Sequence, residues 1–330
     1  MKVLVLTHKG RYDRFAPKDS PAYQAAELIF CDRDGTEEEW LAAGGDAEAL
    51  FVTPVTWVRE SLIARMPHLK MIHSEGVGFD RIDLEAARRR GIYVCNNAGC
   101  NAGPVAEQAV MMMSMLLHRT LWGERMVRCG RQGEAVRALE GDVPKDLCCS
   151  TVGLVGFGAI GQATALRLRA NGSRVYYYAR HRKSPETEHA YGVEYLPLEE
   201  LAERCDIVSL HLPATAESIH MVDRAFLARM KPGSYLVNTA RGAVIDDEAL
   251  CEAIRSGHLA GAALDAYDPE PVPADHPLVR LAEECPGRVV LCPHQGGLTQ
   301  SSFENVYRML FEDLGLLMAG KRPNRIVNGL

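Results

Sequence analysis

A glycine-rich turn carries the clearest chemical signal in the sequence. Gly156, Gly158 and Gly161 follow a short apolar run with the spacing G-x-G-x-x-G. Such glycines allow a tight turn, a close approach of a pyrophosphate to the main chain, and close packing of the following helix on the strand. That helix would direct its free N–H groups at the phosphates. The motif therefore predicts a dinucleotide site. To that site we also assign Ala159 and Ile160.

A basic turn after the next predicted strand bears on which dinucleotide is bound. In NAD enzymes an acidic residue at the end of that strand accepts hydrogen bonds from the ribose hydroxyls, but here the position is Ala179. The residues that follow are Arg180, His181, Arg182 and Lys183. Arginines attract a 2′-phosphate through charge-assisted hydrogen bonds, although a basic exposed turn without a ligand is the alternative. The missing acid and the basic run together favour NADP(H), with NAD(H) as the alternative.

Three polar residues lie just after predicted strands, at the edge where open α/β sheets bind ligands. Arg241 offers a planar guanidinium fork that suits a carboxylate. Glu270 is flanked by prolines, which hold it in an extended loop, and His294 follows the last predicted strand. Taken singly, they are explained as a surface arginine, a solvated glutamate and a structural histidine. Their combination indicates a reaction centre.

A histidine beside a carboxylate suits proton transfer at neutral pH. The carboxylate favours the charged imidazole, which can then donate a proton near pH 7. Reduction of a ketone needs such a donor, because a hydride reaches carbon while a proton reaches oxygen. A reduced nicotinamide cofactor supplies the hydride, and His294 would supply the proton. Arg241, Glu270 and His294 are therefore the candidate catalytic residues.

Composition agrees with an enzyme of this kind and argues against several other classes. The 330 residues, 47% of them hydrophobic, suffice for two cores. A net charge of −6 without a long basic run argues against a nucleic-acid partner. The ten cysteines include no C-x-x-C pair, so we expect free thiols and no metal site. The apolar start at residues 1–7 is too short for a signal peptide, and no run reaches membrane-spanning length. A cytoplasmic protein without a membrane partner is expected.

Strands and helices alternate along most of the chain, which predicts βαβ units and parallel sheets. In the first part we expect strands at 2–7, 49–52, 70–73 and 92–95, and helices at 22–29, 59–66 and 84–90. Residues 101–128 have a helical pattern, and 129–150 form a looser stretch. Further strands are expected at 152–155, 174–178, 206–211, 234–238, 261–265 and 289–292, and helices at 162–170, 198–204, 224–230 and 246–256. A final amphipathic helix, 301–319, is expected to pack on the N-terminal part.

The sequence resembles the D-isomer-specific 2-hydroxyacid dehydrogenases over nearly its whole length. The motifs that carry the resemblance, in the family's order, are Gly76-Val-Gly78 with Asp80 and Ile82-Asp83, the glycine turn, Val208 to Pro213, Met230 to Gly242, Leu264-Asp265 to Glu270-Pro271, and Pro293 to Gly297. The chain departs from the family pattern at Ala98, Gln132 and Cys148-Cys149-Ser150. These departures touch linker and dimer regions and none of the three candidate catalytic residues.

The resemblance implies a role for each matching residue. Arg241 would bind the carboxylate and oxo group of the substrate, His294 would act as acid and base, and Glu270 would orient His294. Substrate binding would also involve Glu75, Gly76, Val77 and Gly78. Asp265 would contact the nicotinamide carboxamide. The other residues assigned to cofactor binding are His211, Leu212, Pro213, Thr239, Ala240, Gly296 and Gly297, together with Arg241 and His294.

The resemblance also implies an architecture. The expected fold class is α/β, with two Rossmann-like or flavodoxin-like doubly wound parallel-sheet domains and a cleft between them. Residues 1–100 and 298–330 would form the substrate domain, and 101–297 the NAD(P)-binding domain. Family members resemble one another in being homodimers, with the helix after residue 101 in the interface.

Three functions are compatible with these residues. The preferred one is an NADP(H)-dependent reductase of a small 2-oxo acid, such as a glyoxylate or hydroxypyruvate reductase. The second is an NAD-dependent relative acting on phosphoglycerate or on a branched or aromatic 2-hydroxy acid. The third is a dinucleotide-sensing protein similar to a co-repressor. Residues 53–56 and Glu75 would shape side-chain specificity, and the charge of Glu75 would disfavour a phosphorylated substrate.

Overall fold

Two parallel β-sheets organise the chain in the computed structural model, which describes residues 1–330. The residues divide into two units: Met1–Asn101 with Leu298–Leu330, and Ala102–Gly297. We call these unit 1 and unit 2. The expected α/β class with two doubly wound sheets is confirmed. No helix in the structure combines the length and apolar character needed to cross a membrane.

Unit 1 contains a five-stranded sheet in the order β2-β1-β3-β4-β5, which is the flavodoxin-like order. Its strands are β1 (Lys2–Leu6), β2 (Glu27–Cys31), β3 (Ala49–Val52), β4 (Met71–Ser74) and β5 (Tyr93–Cys95). Its helices are α1 (Lys9–Phe15), α2 (Pro21–Gln24), α3 (Glu37–Gly44), α4 (Glu60–Ala64), α5 (Leu84–Arg89) and α15 (Gln300–Met318).

Both faces of the unit 1 sheet are buried, because successive side chains of a strand point to opposite faces. In β1, Leu4 and Leu6 belong to one apolar cluster, while Val3 and Val5 belong to another that includes residues of α15. The C-terminal helix therefore completes the core of the N-terminal unit, as its amphipathic pattern predicts.

Unit 2 contains a seven-stranded sheet in the order β12-β11-β10-β9-β6-β7-β8, an extended form of the Rossmann-like order. Its strands are β6 (Thr151–Val155), β7 (Arg174–Tyr178), β8 (Val193–Tyr195), β9 (Ile207–Leu210), β10 (Tyr235–Asn238), β11 (Gly261–Leu264) and β12 (Val289–Leu291). Its α-helices are α6 (Ala102–Leu117), α7 (Thr120–Arg128), α8 (Gln132–Gly141), α9 (Ala159–Ala170), α10 (Pro185–Tyr191), α11 (Leu198–Arg204), α12 (Arg224–Arg229), α13 (Asp247–Arg255) and α14 (Pro277–Glu284).

Three of the expectations from the sequence differ from the structure. The helix expected over residues 22–29 ends at Gln24, and Glu27–Cys31 forms β2 instead, because this stretch pairs in parallel with β1. The stretch 129–150 is not loose throughout, because Gln132–Gly141 is helical and buries Ala135. The long helical pattern of residues 101–128 is also broken at Arg119, whose φ of 52° is left-handed.

A buried carboxyl group lies at the end of β4 in unit 1. Glu75 is 7% exposed, and the Tyr12 hydroxyl donates a 2.5 Å hydrogen bond to its Oε1. Burial raises the pKa of Glu75 to about 7, although the hydroxyls of Tyr12, Thr7 and Tyr307 and the charge of Arg11 act in the opposite direction. The carboxyl is therefore largely protonated in the folded protein at slightly acidic pH.

This environment makes the stability of the protein depend on pH. Between pH 4.5 and about 7 the unfolded carboxyl ionises while the folded one stays protonated, so the stabilisation present below pH 4.5 is lost as pH rises. We expect the free energy of unfolding of Glu75→Gln, taken relative to that of the wild type, to increase by about 3 kcal/mol from pH 4.5 to pH 8. Urea unfolding at both pH values measures this gain, with the exposed Glu124→Gln as control. Parallel pH dependence of wild type and Glu75→Gln would contradict the assignment.

Candidate active site

The glycine turn of unit 2 has the geometry that its spacing predicts. Gly156 has a φ of 101°, and a Cβ there would lie 2.3 Å from the carbonyl oxygen of His211. A Cβ on Gly161 would lie 2.4 Å from the carbonyl oxygen of Gly156, so strand and helix pack too closely for a side chain. A Cβ on Gly158 would meet nothing within 4 Å. The turn is thus held tightly at its first and third glycines and is open at its second.

The start of α9 offers donors to an anion. Gly158 is the N-cap and no side chain caps this helix, so Ala159 and Ile160 present main-chain N–H groups that no capping side chain accepts. Two buried polar atoms in the segments assigned to the cofactor also lack a partner within the protein: Nδ1 of His211 and Oγ1 of Thr239. These features fit a bound dinucleotide.

His211 lies just beyond β9 and is held in one orientation. Its Nε2 is 3.0 Å from the Ser209 hydroxyl, and burial lowers the pKa of the ring to about 4. The imidazole is therefore neutral at physiological pH. Beyond it, Leu212 packs against the core of unit 2, and the carbonyl oxygen of Pro213 accepts a 2.7 Å hydrogen bond from Ser218.

The basic turn after β7 is exposed, and its arginines have acidic partners within unit 2. Arg180 is paired with Glu217. Arg182 makes two hydrogen bonds with Glu188, of 2.8 and 2.9 Å, and Glu188 also accepts from Tyr177. Both arginine side chains are more than half exposed, and exposed ion pairs contribute little stability. Ala179 precedes them partly buried, and His181 and Lys183 complete the turn.

The Arg241 loop is fixed at the carboxyl end of β10. Asn238 holds the loop from both sides: its side-chain oxygen accepts from the Ala240 N–H at 2.9 Å, and its amide donates to the Arg241 carbonyl at 2.9 Å. A Cβ on Gly242 would lie 2.0 Å from the Tyr267 carbonyl carbon. Only glycine therefore lets the Arg241 loop pack directly on the loop that carries Glu270.

Glu270 and His294 form a direct pair. Nδ1 of His294 lies 2.9 and 2.8 Å from the two carboxylate oxygens, and Oε1 of Glu270 also accepts from the Tyr267 N–H at 2.9 Å. The Tyr267 hydroxyl donates to the carbonyls of Leu264, at 3.0 Å, and Cys292, at 2.8 Å. One tyrosine therefore joins the ends of β11 and β12, from which the two catalytic candidates project.

Charge in the site is arranged to keep Glu270 ionised. Burial by itself raises the pKa of Glu270, but the hydrogen bonds with His294 and the Tyr267 N–H, together with the positive charge of Arg241, lower it below its usual value. An ionised carboxylate bonded to Nδ1 leaves Nε2 of His294 as the nitrogen that can exchange a proton with a ligand. The structure thus brings Arg241, Glu270 and His294 together.

The turn that carries His294 is shaped by Asp265. His294 itself has a φ of 56°, a left-handed conformation that is uncommon for a residue with a side chain. Asp265 is 2% exposed, and its two oxygens accept hydrogen bonds from the N–H groups of Gln295, at 2.9 Å, and Gly296, at 2.8 Å. Burial raises the pKa of Asp265, and these two bonds act against the rise. Gly297 ends unit 2 just beyond this turn.

In unit 1 the loop Gly76–Gly78 has its carbonyl groups bound and its N–H groups free. The three carbonyls accept hydrogen bonds from the Asn97 N–H, the Asn96 amide and the Ser74 hydroxyl. The N–H groups of Gly76, Val77 and Gly78 make no hydrogen bond within the protein. Successive free N–H groups suit an anion such as a carboxylate.

Two residues assigned to the substrate, Gly76 and Glu75, have different surroundings. A Cβ on Gly76 would lie 2.5 Å from Pro54, so the loop packs against residues 53–56. The side chain of Glu75, in contrast, bonds to Tyr12 in the interior of unit 1. Because that carboxyl is buried and its pKa is raised to about 7, it is a poor source of the negative charge that would disfavour a phosphorylated substrate.

Several residues that shape these sites escaped the sequence reasoning. They are Ser74, Asn96 and Asn97 around the unit 1 loop, and Asn238 and Tyr267 in unit 2. A signal existed for Asn238, a polar residue at the end of a buried strand and directly before the Arg241 turn. No sequence signal marks Ser74 or Asn96, because their partners are main-chain carbonyls brought close by the fold.

Comparisons with known proteins agree with this geometry. A family model described as "D-isomer specific 2-hydroxyacid dehydrogenase, NAD binding domain" matches residues 110–296. A glyoxylate reductase of Korarchaeum cryptofilum is 36% identical over 283 residues, which cover 86% of this chain and 83% of the relative.

Two solved structures show the same fold over nearly the whole chain. The holo form of D-mandelate dehydrogenase from Rhodotorula graminis is 28% identical, with a TM-score of 0.86 and coverage of 99% of this chain and 97% of that one. D-lactate dehydrogenase from Aquifex aeolicus, solved with NAD and lactic acid, is 27% identical, with a TM-score of 0.82 and coverage of 97% and 96%. The chain belongs to the D-isomer-specific 2-hydroxyacid dehydrogenases, which are NAD(P)-dependent oxidoreductases acting on 2-hydroxy acids.

Proposed function

We propose that the protein reduces a small 2-oxo acid to the 2-hydroxy acid with NADPH. The observation that carries this proposal is the His294–Glu270 pair, with Arg241 beside it, at the carboxyl ends of three neighbouring strands. A proton donor and a carboxylate-binding cation are the two groups that a 2-oxo acid requires. The similarity to glyoxylate reductases supports a substrate with a small side chain.

Each residue has a defined task in the proposed reaction. The glycine turn and the segments after β7 and β9 would hold the dinucleotide, whose nicotinamide would supply the hydride to the substrate carbon. Arg241 binds the carboxylate through its guanidinium fork and polarises the oxo group. His294 donates the proton from Nε2 to the oxo oxygen as the alkoxide develops. Glu270 remains ionised, holds Nδ1, and stabilises the imidazolium before the proton leaves.

We propose that the free N–H groups of the unit 1 loop Gly76–Gly78 bind an anion such as a carboxylate. The loop is held by its carbonyls, so its N–H groups are pre-organised for an anion and need no rearrangement to bind one. Thr53 and Thr56, whose hydroxyls lie 2.9 Å apart next to this loop, are the proposed neighbours of the substrate side chain.

The preference for NADPH is proposed from the turn after β7. Ala179 presents no carboxylate that would repel a 2′-phosphate, and Arg180 is held only by an exposed pair with Glu217. A phosphate dianion competes well for such an arginine, because an exposed ion pair is weak. Arg182 is more firmly engaged, since Glu188 binds it through two hydrogen bonds. We therefore expect Arg180 to contribute more than Arg182.

The experiment is a panel of 2-oxo acids, each offered with NADPH and with NADH, with oxidation of the cofactor followed by absorbance. Glyoxylate, hydroxypyruvate, pyruvate, phenylglyoxylate and 3-phosphohydroxypyruvate cover the substrate classes under consideration. Turnover of a small 2-oxo acid with NADPH preferred supports the proposal. No oxidation with any acid would overturn it, and a clear preference for NADH would overturn its cofactor part.

Replacing Arg180 tests the phosphate site separately. We expect Arg180→Ala to raise the KM for NADPH by about 10- to 100-fold, because a charge-assisted hydrogen bond is lost. The KM for NADH should stay within about twofold of the wild type, since NADH lacks the 2′-phosphate. Arg174→Ala is the matched control, because Arg174 is an exposed arginine at the other end of β7. Equal effects on both cofactors would contradict the assignment.

We propose further that two copies of the chain associate and that the protein is cytoplasmic. Apolar side chains are exposed on α6, α7 and α8, among them Met111, Val127 and Val136, which supports an interface there. Light scattering that gives the mass of a single 36.3 kDa chain would contradict the dimer.

All ten cysteines are free thiols, as suits a reducing compartment.

A further inference from the structure

A buried histidine lies behind the loop that carries Glu270. His276 is 6% exposed and is the N-cap of α14, where its Nδ1 accepts a hydrogen bond from the Leu278 N–H at 3.4 Å. Because Nδ1 acts as an acceptor, a neutral ring carries its proton on Nε2. His276 can therefore donate one hydrogen bond from Nε2 into the interior of unit 2.

The partner of that proton is the main chain next to Glu270. Nε2 of His276 lies 3.2 Å from the carbonyl oxygen of Asp268. The loop needs such an anchor, because residues 268–270 are exposed. The main chain of residues 268–271 makes no other hydrogen bond in the structure.

A carboxylate on another element lies close to Nε2 of His276. Oδ2 of Asp247, the first residue of α13, lies 3.4 Å from Nε2 of His276. The other ionisable groups that face Asp247 are Asp246, Asp268 and His220. α13 begins just after the turn that contains Gly242, and Gly242 packs on the main chain of Tyr267 and Asp268. Asp247 and His276 therefore connect the helix that follows the Arg241 loop with the Glu270 loop.

We propose that His276, oriented by Asp247, is a positioning residue that fixes the Glu270 loop so that the carboxylate stays on His294. The inference rests on the proposed function, since it assigns His276 a part in that proton transfer. It touches neither substrate nor cofactor and acts through the Asp268 carbonyl. His276 makes the only hydrogen bond to the main chain of residues 268–271, so we expect the loop to shift when that bond is lost, and small misplacements of catalytic groups are costly.

Two substitutions of His276 distinguish its role as the N-cap of α14 from its role in positioning the Glu270 loop. Asparagine is a good N-cap and can replace Nδ1, but its short amide does not reach the Asp268 carbonyl. Glutamine places its amide nitrogen close to the position of Nε2 and can donate to that carbonyl. We expect His276→Asn to lower kcat about tenfold with the KM for NADPH within about twofold of the wild type, and His276→Gln to restore most of the rate. Asp247→Asn should fall between the two.

The matched control is His258→Asn. His258 also bonds a main-chain carbonyl in unit 2, that of Leu227, at 3.0 Å, but it lies between α13 and the start of β11, away from the catalytic candidates. Hydrogen exchange of the peptide 264–273, followed by mass spectrometry, reports the loop without reference to activity. We expect exchange in this peptide to accelerate in His276→Asn and to stay at the wild-type rate in His276→Gln and His258→Asn.

The outcomes distinguish the two proposals. An inactive wild-type protein would overturn the proposed function, and unchanged exchange of the peptide in His276→Asn would then overturn the loop anchor as well. With an active wild type, a kcat of His276→Asn within twofold would overturn the positioning role. Equal losses in the asparagine and glutamine variants, with faster exchange throughout unit 2, would show a structural role only and would also overturn it.

Discussion

His294→Ala should lose about a thousandfold in kcat for reduction of the preferred 2-oxo acid, because the developing alkoxide would have no positioned proton donor. NADPH should still bind, since the glycine turn and the segment after β7 are unchanged. Stopped-flow absorbance of NADPH measures the rate, and fluorescence titration measures binding. Because His294 has a left-handed φ of 56°, the alanine variant also needs a stability control by thermal unfolding.

Two further variants serve as comparisons for the loss of kcat in His294→Ala. His68→Ala removes an exposed histidine of unit 1 and should leave the rate unchanged. Glu270→Gln keeps the shape of the carboxylate but removes its charge, so its rate should lie between those of the wild type and His294→Ala. A His294→Ala enzyme that retains kcat within tenfold would remove His294 from proton transfer, whatever the result for Glu270.

Arg241→Lys should lower kcat/KM by about a hundredfold or more, although it keeps the positive charge. A lysine ammonium is a point charge and cannot present the planar pair of donors that matches a carboxylate. The Arg241 loop itself should stay in place, because Asn238 and Gly242 fix its main chain. Steady-state kinetics over a range of 2-oxo acid concentrations measures the change.

Arg229→Lys is the control for this substitution, because Arg229 is a half-exposed arginine of unit 2 that pairs with Glu203 on the surface. Its kcat/KM should match that of the wild type. If Arg241→Lys were as active as Arg229→Lys, the guanidinium fork would have no part in substrate binding, and the carboxylate would have to be held by other groups.

The sequence predicts elements well where the signal is local. β3, β7 and α11 have the bounds expected from apolar runs, flanking polar residues and helical spacing. The segment that became β2 was wrongly expected as a helix because its strand character depends on pairing with β1, which no local pattern reveals. The helix α8 was missed because it buries only Ala135 and so lacks an apolar stripe.

In the candidate site, too, residues with a local sequence signal are predictable and residues without one are not. Gly156, Arg241, Glu270 and His294 are recognisable because each follows a strand and carries the residue type that the chemistry needs. The groups that hold these residues in place are not recognisable from the sequence, because the atoms they bind are main-chain atoms of distant segments. Tyr267 bridges two strand ends, and Asp265 binds the turn after His294. Glu75 is the reverse case, since its neighbour Gly76 suggests a substrate role while the fold buries its carboxyl against Tyr12.

The order of strands in the unit 2 sheet has an evolutionary consequence. The segments proposed to distinguish NADPH from NADH follow β7, whereas Arg241, Glu270 and His294 follow β10, β11 and β12, with β6 and β9 between the two groups. Substitutions in one group therefore need no compensation in the other. Arg180 and Arg182 contact Glu217 and Glu188 rather than Arg241, Glu270 or His294, so the proposed coenzyme preference and the proposed acid–base chemistry can change independently of each other.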